Sequence, residues 1–323
     1  MINPRYSLVI PAYNEEAVIE ETYFRLTRAM QALNESYELI FVNDGSRDQT
    51  EALLGALESS DSNVRLLSFS RNFGHQTAVT AGLDHARGQA IIIIDADLQD
   101  PPELIPQMIE KWKEGYAVVY GQRRERRGES WFKKLSAALF YRFLNALTEV
   151  NIPLDTGDFR LIDRRVADIL LTLREKNRFI RGLVSWVGFR QTALEYVREE
   201  RRAGETKYSL KKMLRLSMDG LTSFSLKPLQ FATGSGLLIA GLSSLFLLAS
   251  AARLIWSPGA TAFWSLLIAL SLLVNGITLI CIGILGEYVG RIYDEARNRP
   301  LYILKSGVKK YQLRSERVKR SVR

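Results

Sequence analysis

Ala90-Ile91-Ile92-Ile93-Ile94-Asp95-Ala96-Asp97-Leu98-Gln99-Asp100-Pro101-Pro102-Glu103 is the stretch on which the fold turns. Four consecutive isoleucines bounded by turn-forming residues read as a strand buried on both faces, the pattern of a parallel sheet. Two carboxylates one residue apart emerge where that strand ends. Outward from it, other apolar β-rich runs lie at 7–11, 38–42, 64–68 and 117–120, with helical spacing near 16–33, 48–58, 75–86 and 102–114. This alternation predicts βαβ units, hence an α/β domain with a mostly parallel sheet. Ligands of such sheets bind beyond the carboxyl ends of the strands. The polar motifs stand there: Pro11-Ala12-Tyr13-Asn14-Glu15-Glu16 after the first strand, Asn43-Asp44-Gly45-Ser46 after the second, and the aspartates after the fourth.

No GxGxxG follows the first strand and no GxxxxGK[ST] occurs, which excludes a dinucleotide fingerprint and a P-loop. Asp95 and Asp97, with Gln99 two residues on, offer hard oxygen ligands suited to Mg²⁺ or Mn²⁺. A cation held there could bridge to a diphosphate and neutralise charge appearing on it as a bond breaks. Read alone, Asp-x-Asp is by default a cap or turn after a strand, and its meaning comes from the motifs around it.

The 323 residues carry a net charge of +9, but not evenly. Residues 1–197 hold 24 basic and 27 acidic side chains; 198–227 hold 8 and 4; 287–323 hold 11 and 4; between them 228–286 contain only Arg253. A mildly acidic body is thus followed by an uncharged stretch with basic flanks, which favours a lipid surface over nucleic acid as the partner of those flanks. One cysteine, Cys281, and two histidines, His75 and His85, exclude a disulfide scaffold, a cysteine zinc site and a histidine-rich metal centre. Met1–Arg5 runs into the first strand without an apolar leader, so the body is expected in the cytosol.

Residues 228–252 and 254–286 give 25 and 33 positions without a charge, room for two transmembrane helices. Trp256 and Trp264 flank the Ser257-Pro258-Gly259 turn between them, as an interfacial aromatic belt would. Basic flanks place both ends on the cytoplasmic side, and Arg253 can snorkel outward. The expected organisation is a cytosolic catalytic domain over 1–208, interfacial amphipathic helices over 209–227, two transmembrane helices over 228–286 and a basic cytosolic tail over 287–323. Gly234, Gly236, Ala240 and Gly241 permit close helix packing, within the monomer or in a homo-oligomer.

The set PAYNEE (11–16), NDGSxD (43–48), RNFGHQTA (71–78) and DADLQDPPE (95–103) resembles the family 2 glycosyltransferases of GT-A fold. Within them the chain is most similar to the polyprenyl-phosphate sugar transferases, which include dolichyl-phosphate mannose synthases and bactoprenol glucosyltransferases. GDFR (157–160), RFIRGLVSWVGF (178–189) and RRAGETKY (201–208) extend the likeness, which covers about 7–300; RFIRGLVSWVGF and the apolar tail point to the bactoprenol branch. The QxxRW string of processive synthases is absent.

That resemblance implies an inverting transferase of the bacterial plasma membrane, multi-pass, with both termini cytoplasmic. It would move glucose from UDP-glucose to polyprenyl (undecaprenyl) phosphate with a divalent cation. Pro11, Tyr13, Glu15 and Asp44 would hold the nucleoside, and Asp95, Asp97 and Gln99 the metal-diphosphate, Asp95 serving either the cation or the nucleotide. Asp158, expected in a turn after a strand-like stretch, would lie near the reacting centre as base or positioning group. Arg123 and Lys133 would handle the lipid phosphate, with Lys133 where relatives often carry Arg. Arg201 and Lys207 would sit on a loop that closes over the donor, with Thr206 where relatives usually carry Ser. His75 and Gln76 are read as sugar- or acceptor-contacting, or as capping and packing residues. Other donors (UDP-aminoarabinose, UDP-GlcNAc, GDP-mannose) are the alternatives within the enzymes. A non-catalytic scaffold or lipid transporter is the alternative outside them, for which two spans make a poor path.

Overall fold

Five strands stand where the apolar runs predict them: β1 (Tyr6–Ala12), β2 (Tyr37–Asn43), β3 (Val64–Ser68), β4 (Ala90–Ile93) and β5 (Val118–Arg123). Two more, β6 (Thr156–Asp163) and β7 (Gln191–Tyr196), complete a seven-stranded sheet in the order β3-β2-β1-β4-β6-β5-β7. The computed structural model describes residues 4–123, 156–173, 175–176, 178–196 and 260–305, and positions 238, 239, 241 and 245.

β1, β2, β3 and β4 are mutually parallel, and β5 is parallel to β7; β6 runs antiparallel to both β4 and β5. The sheet is therefore mostly parallel, as expected, with one reversed strand inserted near its centre. This corrects the expectation for Asp158, which lies inside β6 and not in a turn after a strand. A strand with hydrogen-bonded neighbours on both sides is set by pairing, and its polar first half gave no strand-like run to read.

Ile91, Ile92, Ile93 and Ile94 are all fully buried, each contributing on the order of 2 kcal/mol of apolar burial. On one face Tyr6, Leu8 and Ile10 pack with Leu39, Phe41 and Ile92 into the main core. Helix α1 (Ile19–Gln31) closes that face through Ile19, Thr22, Leu26 and Met30, a helical stripe spaced three or four residues apart. On the other face lies α3 (His75–His85), at van der Waals limits: a Cβ on Gly82 would fall 2.1 Å from Val9 Cγ1. Helices α2 (Thr50–Ser60), α4 (Ile105–Lys113), α5 (Arg164–Thr172) and α6 (Ile180–Trp186) complete the described helices of this unit.

At the amino ends of the strands, away from the motifs, a buried polar knot ties β1, β2 and β3. Ser7 Oγ donates to Glu38 Oε1 (2.6 Å), Arg65 donates to Glu38 Oε2 (2.8 Å), and the backbone N–H of Arg87 donates to Glu38 Oε1 (2.8 Å). Removing one partner strands the others without compensation. Glu38→Ala is expected to cost about 3 kcal/mol of stability in denaturant unfolding, with substrate KM values unchanged.

The chain divides into two compact units, Met1–Asn145 with Val150–Met213 and Pro300–Arg323, and Ala146–Glu149 with Leu214–Arg299. The second contains α7 (Ala260–Ala296), 37 residues of continuous helix, roughly 55 Å long. It continues ten residues past the expected boundary at 286, where an Arg291–Glu287 pair one turn apart supports it. Counting only the described residues, no helix is long and apolar enough to cross a membrane. The expected first span, apart from four positions, and the expected interfacial helices at 209–227 lie outside the described residues.

Candidate active site

The order β2-β1-β4-β6 brings the motif loops side by side. Pro11 is buried within β1, in register with Val42 of β2, and half-buried Tyr13 and Glu15 follow directly. The loops after β1 and β2 are stitched together. Asn14 N donates to Ser46 Oγ (3.0 Å), Glu15 N to Thr50 Oγ1 (2.9 Å), and Arg47 N to Asn14 Oδ1 (2.9 Å). Asn14 adopts φ 54°, a left-handed conformation that Asn tolerates.

Asp44 is buried and accepts the backbone N–H of Phe73 (2.7 Å) and of Gly74 (3.0 Å). Burial raises its pKa, against these hydrogen bonds. Its carboxylate thereby shapes the 71–74 turn that delivers His75. Gly45 beside it, at φ +66°, admits that turn, since a Cβ would lie 2.4 Å from the Arg71 carbonyl carbon.

The DADLQD loop is pinned at three places. Thr22 Oγ1 donates to Ala96 O (2.8 Å), the Tyr196 hydroxyl donates to buried Asp100, and Arg25 clasps Glu103 through Nε (2.9 Å) and Nη2 (2.7 Å). Between these anchors Asp97 Oδ1 accepts Gln99 N (3.2 Å) across Leu98, a buried residue at φ 57°. A leucine in the left-handed region costs free energy; the surrounding anchors hold it there and so set the spacing of Asp97 and Gln99.

Asp158 meets this loop because β6 is antiparallel to β4: Ile93 pairs with Arg160, and the same register carried two residues on sets Asp95 opposite Asp158. His75, the first residue of α3, stands between them, its Nε2 3.1 Å from Asp158 Oδ2 and 3.5 Å from Asp95 Oδ1. Gln76 also donates to Asp158 (3.3 Å). Arg181 of α6 supplies a two-pronged clasp, Nε to Oδ1 at 2.7 Å and Nη2 to Oδ2 at 3.0 Å, and its Nη1 donates to Thr156 O (3.0 Å).

These contacts divide the charges. Burial would raise Asp158, but Arg181 and then His75 hold it well below the usual carboxylate range. Burial pulls His75 down, yet Asp95 and Asp158 bring it up to about 9. Burial, opposed by His75 and reinforced by Asp158, Asp100 and Asp97, pushes Asp95 up to about 6. Asp95 Oδ1 is a buried carboxylate oxygen without a hydrogen-bond partner.

The structure thus joins Asp95 to Asp158 through His75 and gathers Pro11, Tyr13, Glu15 and Asp44 at adjacent strand ends. Arg123 ends β5; Lys133, Arg201 and Lys207 lie outside the described residues. Arg181 carried no assigned role in the sequence, although RFIRGLVSWVGF marked its segment. Among the described residues, no group of three or more His, Cys, Asp or Glu side chains could hold a metal ion.

The profile described as "Glycosyl transferase family 2" matches residues 7–170. The chain belongs to glycosyltransferase family 2. It is 56% identical over 316 residues, 98% of this chain and 97% of the other, to the "Uncharacterized glycosyltransferase YkcC" of Bacillus subtilis (strain 168). It is 43% identical to the "Bactoprenol glucosyl transferase" of Shigella phage SfII, over 93% of this chain and 97% of that one. Among solved structures it resembles glucosyl-3-phosphoglycerate synthase from Mycobacterium tuberculosis in complex with Mn²⁺, UDP and glucosyl-3-phosphoglycerate. That likeness has 20% identity and a TM-score of 0.42, covering 67% of this chain and 76% of that one.

Proposed function

We propose that this family 2 glycosyltransferase moves glucose from UDP-glucose to the phosphate of a polyprenyl phosphate such as undecaprenyl phosphate, with inversion. The full-length similarity to a bactoprenol glucosyl transferase supports that acceptor and sugar. On the chain's own atoms, the observation that carries the reading is Asp95 Oδ1, buried without a hydrogen-bond partner at the end of β4. A buried carboxylate oxygen that makes no hydrogen bond and meets His75 Nε2 at the ion-pair distance of 3.5 Å suits a cation.

Mg²⁺ or Mn²⁺ fits Asp95, Asp97 and Gln99. Such ions need only one or two protein carboxylates when substrate phosphates complete the shell, so a third acidic ligand is not required. Bound there, the ion would offset charge on the departing diphosphate. Pro11, Tyr13 and Glu15, with Asp44 behind them, form the nucleoside end of the site. Tyr13 offers a face for the base, and Glu15 an acceptor for base N–H or ribose hydroxyls.

The acceptor phosphate is ionised at neutral pH, so it needs placement more than deprotonation. One of its oxygens attacks the anomeric carbon; the bond from that carbon to the diphosphate oxygen breaks, and UDP departs with the electron pair. Asp158, kept ionised and engaged on both oxygens by Arg181, His75 and Gln76, positions a sugar hydroxyl or the acceptor. Arg123, Lys133, Arg201 and Lys207 are the cations assigned to the lipid phosphate and the donor loop.

The acceptor lies in a membrane, and α7 suits an anchor there. The chain has no charge from 254 to 286, and Leu279, Ile280, Ile282 and Leu285 are exposed on the helix. The two uncharged runs, 228–252 and 254–286, and their basic flanks support reading the chain as a multi-pass protein with its catalytic unit and both termini on the cytoplasmic side.

Membranes containing the protein, incubated with a panel of labelled nucleotide sugars, are expected to yield organic-extractable label from UDP-glucose and from no other donor. Label from another donor alone would reassign the sugar. No extractable label from any donor would refute the lipid acceptor.

A further inference from the structure

After α7 the chain returns to the catalytic unit, where residues 301–305 run beside the exit of β3. Ser70 N donates to Ile303 O (2.9 Å) and Lys305 N to Ser68 O (2.8 Å), forming an antiparallel bridge between Phe69 and Leu304. β3 is an outermost strand of the sheet, and covering its exposed edge would be reason enough for such a segment. Its side chains do more than that. Tyr302 is buried, stacks on Phe69 with ring centroids 5.1 Å apart at 20°, and donates its hydroxyl to Asp84 on α3 (2.8 Å). Lys305 Nζ pairs with Glu51 on α2 at 2.5 Å. Ile303 stays 47% exposed, so the buried aromatic contact centres on Tyr302.

That contact leads into the site. Phe69, fully buried, meets Phe73 edge-on at 5.6 Å. Phe73 N and Gly74 N are the donors to Asp44, and the next residue is His75. Gly74, at φ +102°, leaves this turn intrinsically free to rearrange. Two ring contacts therefore separate Tyr302 from the residue whose amide holds the Asp44 carboxylate.

We propose that residues 301–305 are a strap that positions the 69–75 turn, whose amides hold Asp44, with Tyr302 as its anchoring, positioning residue. The inference rests on the reading of Asp44 as part of the nucleoside end of the site. In this arrangement a segment far along the chain, residues 301–305, sets the shape of the site within the catalytic unit.

The test uses the full-length purified protein and the variants Tyr302→Ala and Tyr302→Phe. Phenylalanine keeps the stack on Phe69 and loses the bond to Asp84. In Tyr302→Ala, amide hydrogen exchange over 69–75 is expected to accelerate about tenfold while β1 and β4 keep their rates. The Kd for UDP, with GDP as control and Mn²⁺ present, is expected to rise about tenfold, with the KM for undecaprenyl phosphate unchanged and Tyr302→Phe close to wild type. Unchanged exchange over 69–75, uniform acceleration through the sheet, or an unchanged Kd for UDP would each overturn the strap. The exchange arm needs no ligand, so a wild-type protein that binds neither nucleotide would count against the donor reading and leave the strap to be decided by exchange.

Discussion

Asp97→Asn is expected to lower kcat/KM for sugar transfer by about a thousandfold or more, roughly 4 kcal/mol of transition-state stabilisation. The substitution separates charge from shape. Asp97 Oδ1 accepts Gln99 N across the left-handed Leu98, and an asparagine Oδ1 can accept the same bond. The loop's three anchors at Ala96, Asp100 and Glu103 are untouched. What disappears is one negative oxygen of the proposed cation site, which the amide replaces poorly as a ligand for a hard divalent ion. Unchanged thermal unfolding with lost transfer would locate the effect in the chemistry. Full activity in this variant would remove the cation from Asp95, Asp97 and Gln99.

Arg181→Ala is the second large effect. It deletes both prongs of the clasp on Asp158 and the bond to Thr156 O. The buried carboxylate then keeps hydrogen bonds from His75 and Gln76 but loses its two-pronged guanidinium, an imbalance worth about 3 kcal/mol or more. The expected loss in kcat is about a hundredfold, with the KM for the nucleotide sugar within about threefold of wild type, because Arg181 acts by orienting Asp158. Arg181→Lys keeps the charge but not the planar fork, so recovery should be partial. A KM defect with normal kcat would instead assign Arg181 to donor binding.

Much of this architecture is legible in local sequence. Four isoleucines followed by Asp-x-Asp define a buried strand and its exit, and PAYNEE and NDGS mark the exits of two neighbours. Run length and residue type suffice, because a buried parallel strand must be apolar along its whole length. The mostly parallel sheet and the clustering of those three motifs at one end follow from that pattern and from the geometry of βαβ connections. The GT-A likeness then suggested which residues face the donor. GDFR was less transparent, since its Gly, Asp and Arg hide a strand whose place comes from partners on both sides. His75 was equally ambiguous, as a residue opening a helix can cap, pack or reach outward.

What the amino-acid sequence by itself determined was therefore the set of β4-type runs, their polar exits and the split between an acidic body and an apolar, basically flanked stretch, all properties of contiguous residues. Tertiary structure alone decided that β6 enters the sheet reversed, setting Asp158 opposite Asp95 with His75 between them. It also decided that Arg181 closes on Asp158 and that Tyr302 returns to Phe69. These pairings join residues from 23 to more than 200 positions apart. No local periodicity encodes them, because which strand lies beside which is chosen by the packing of the whole sheet.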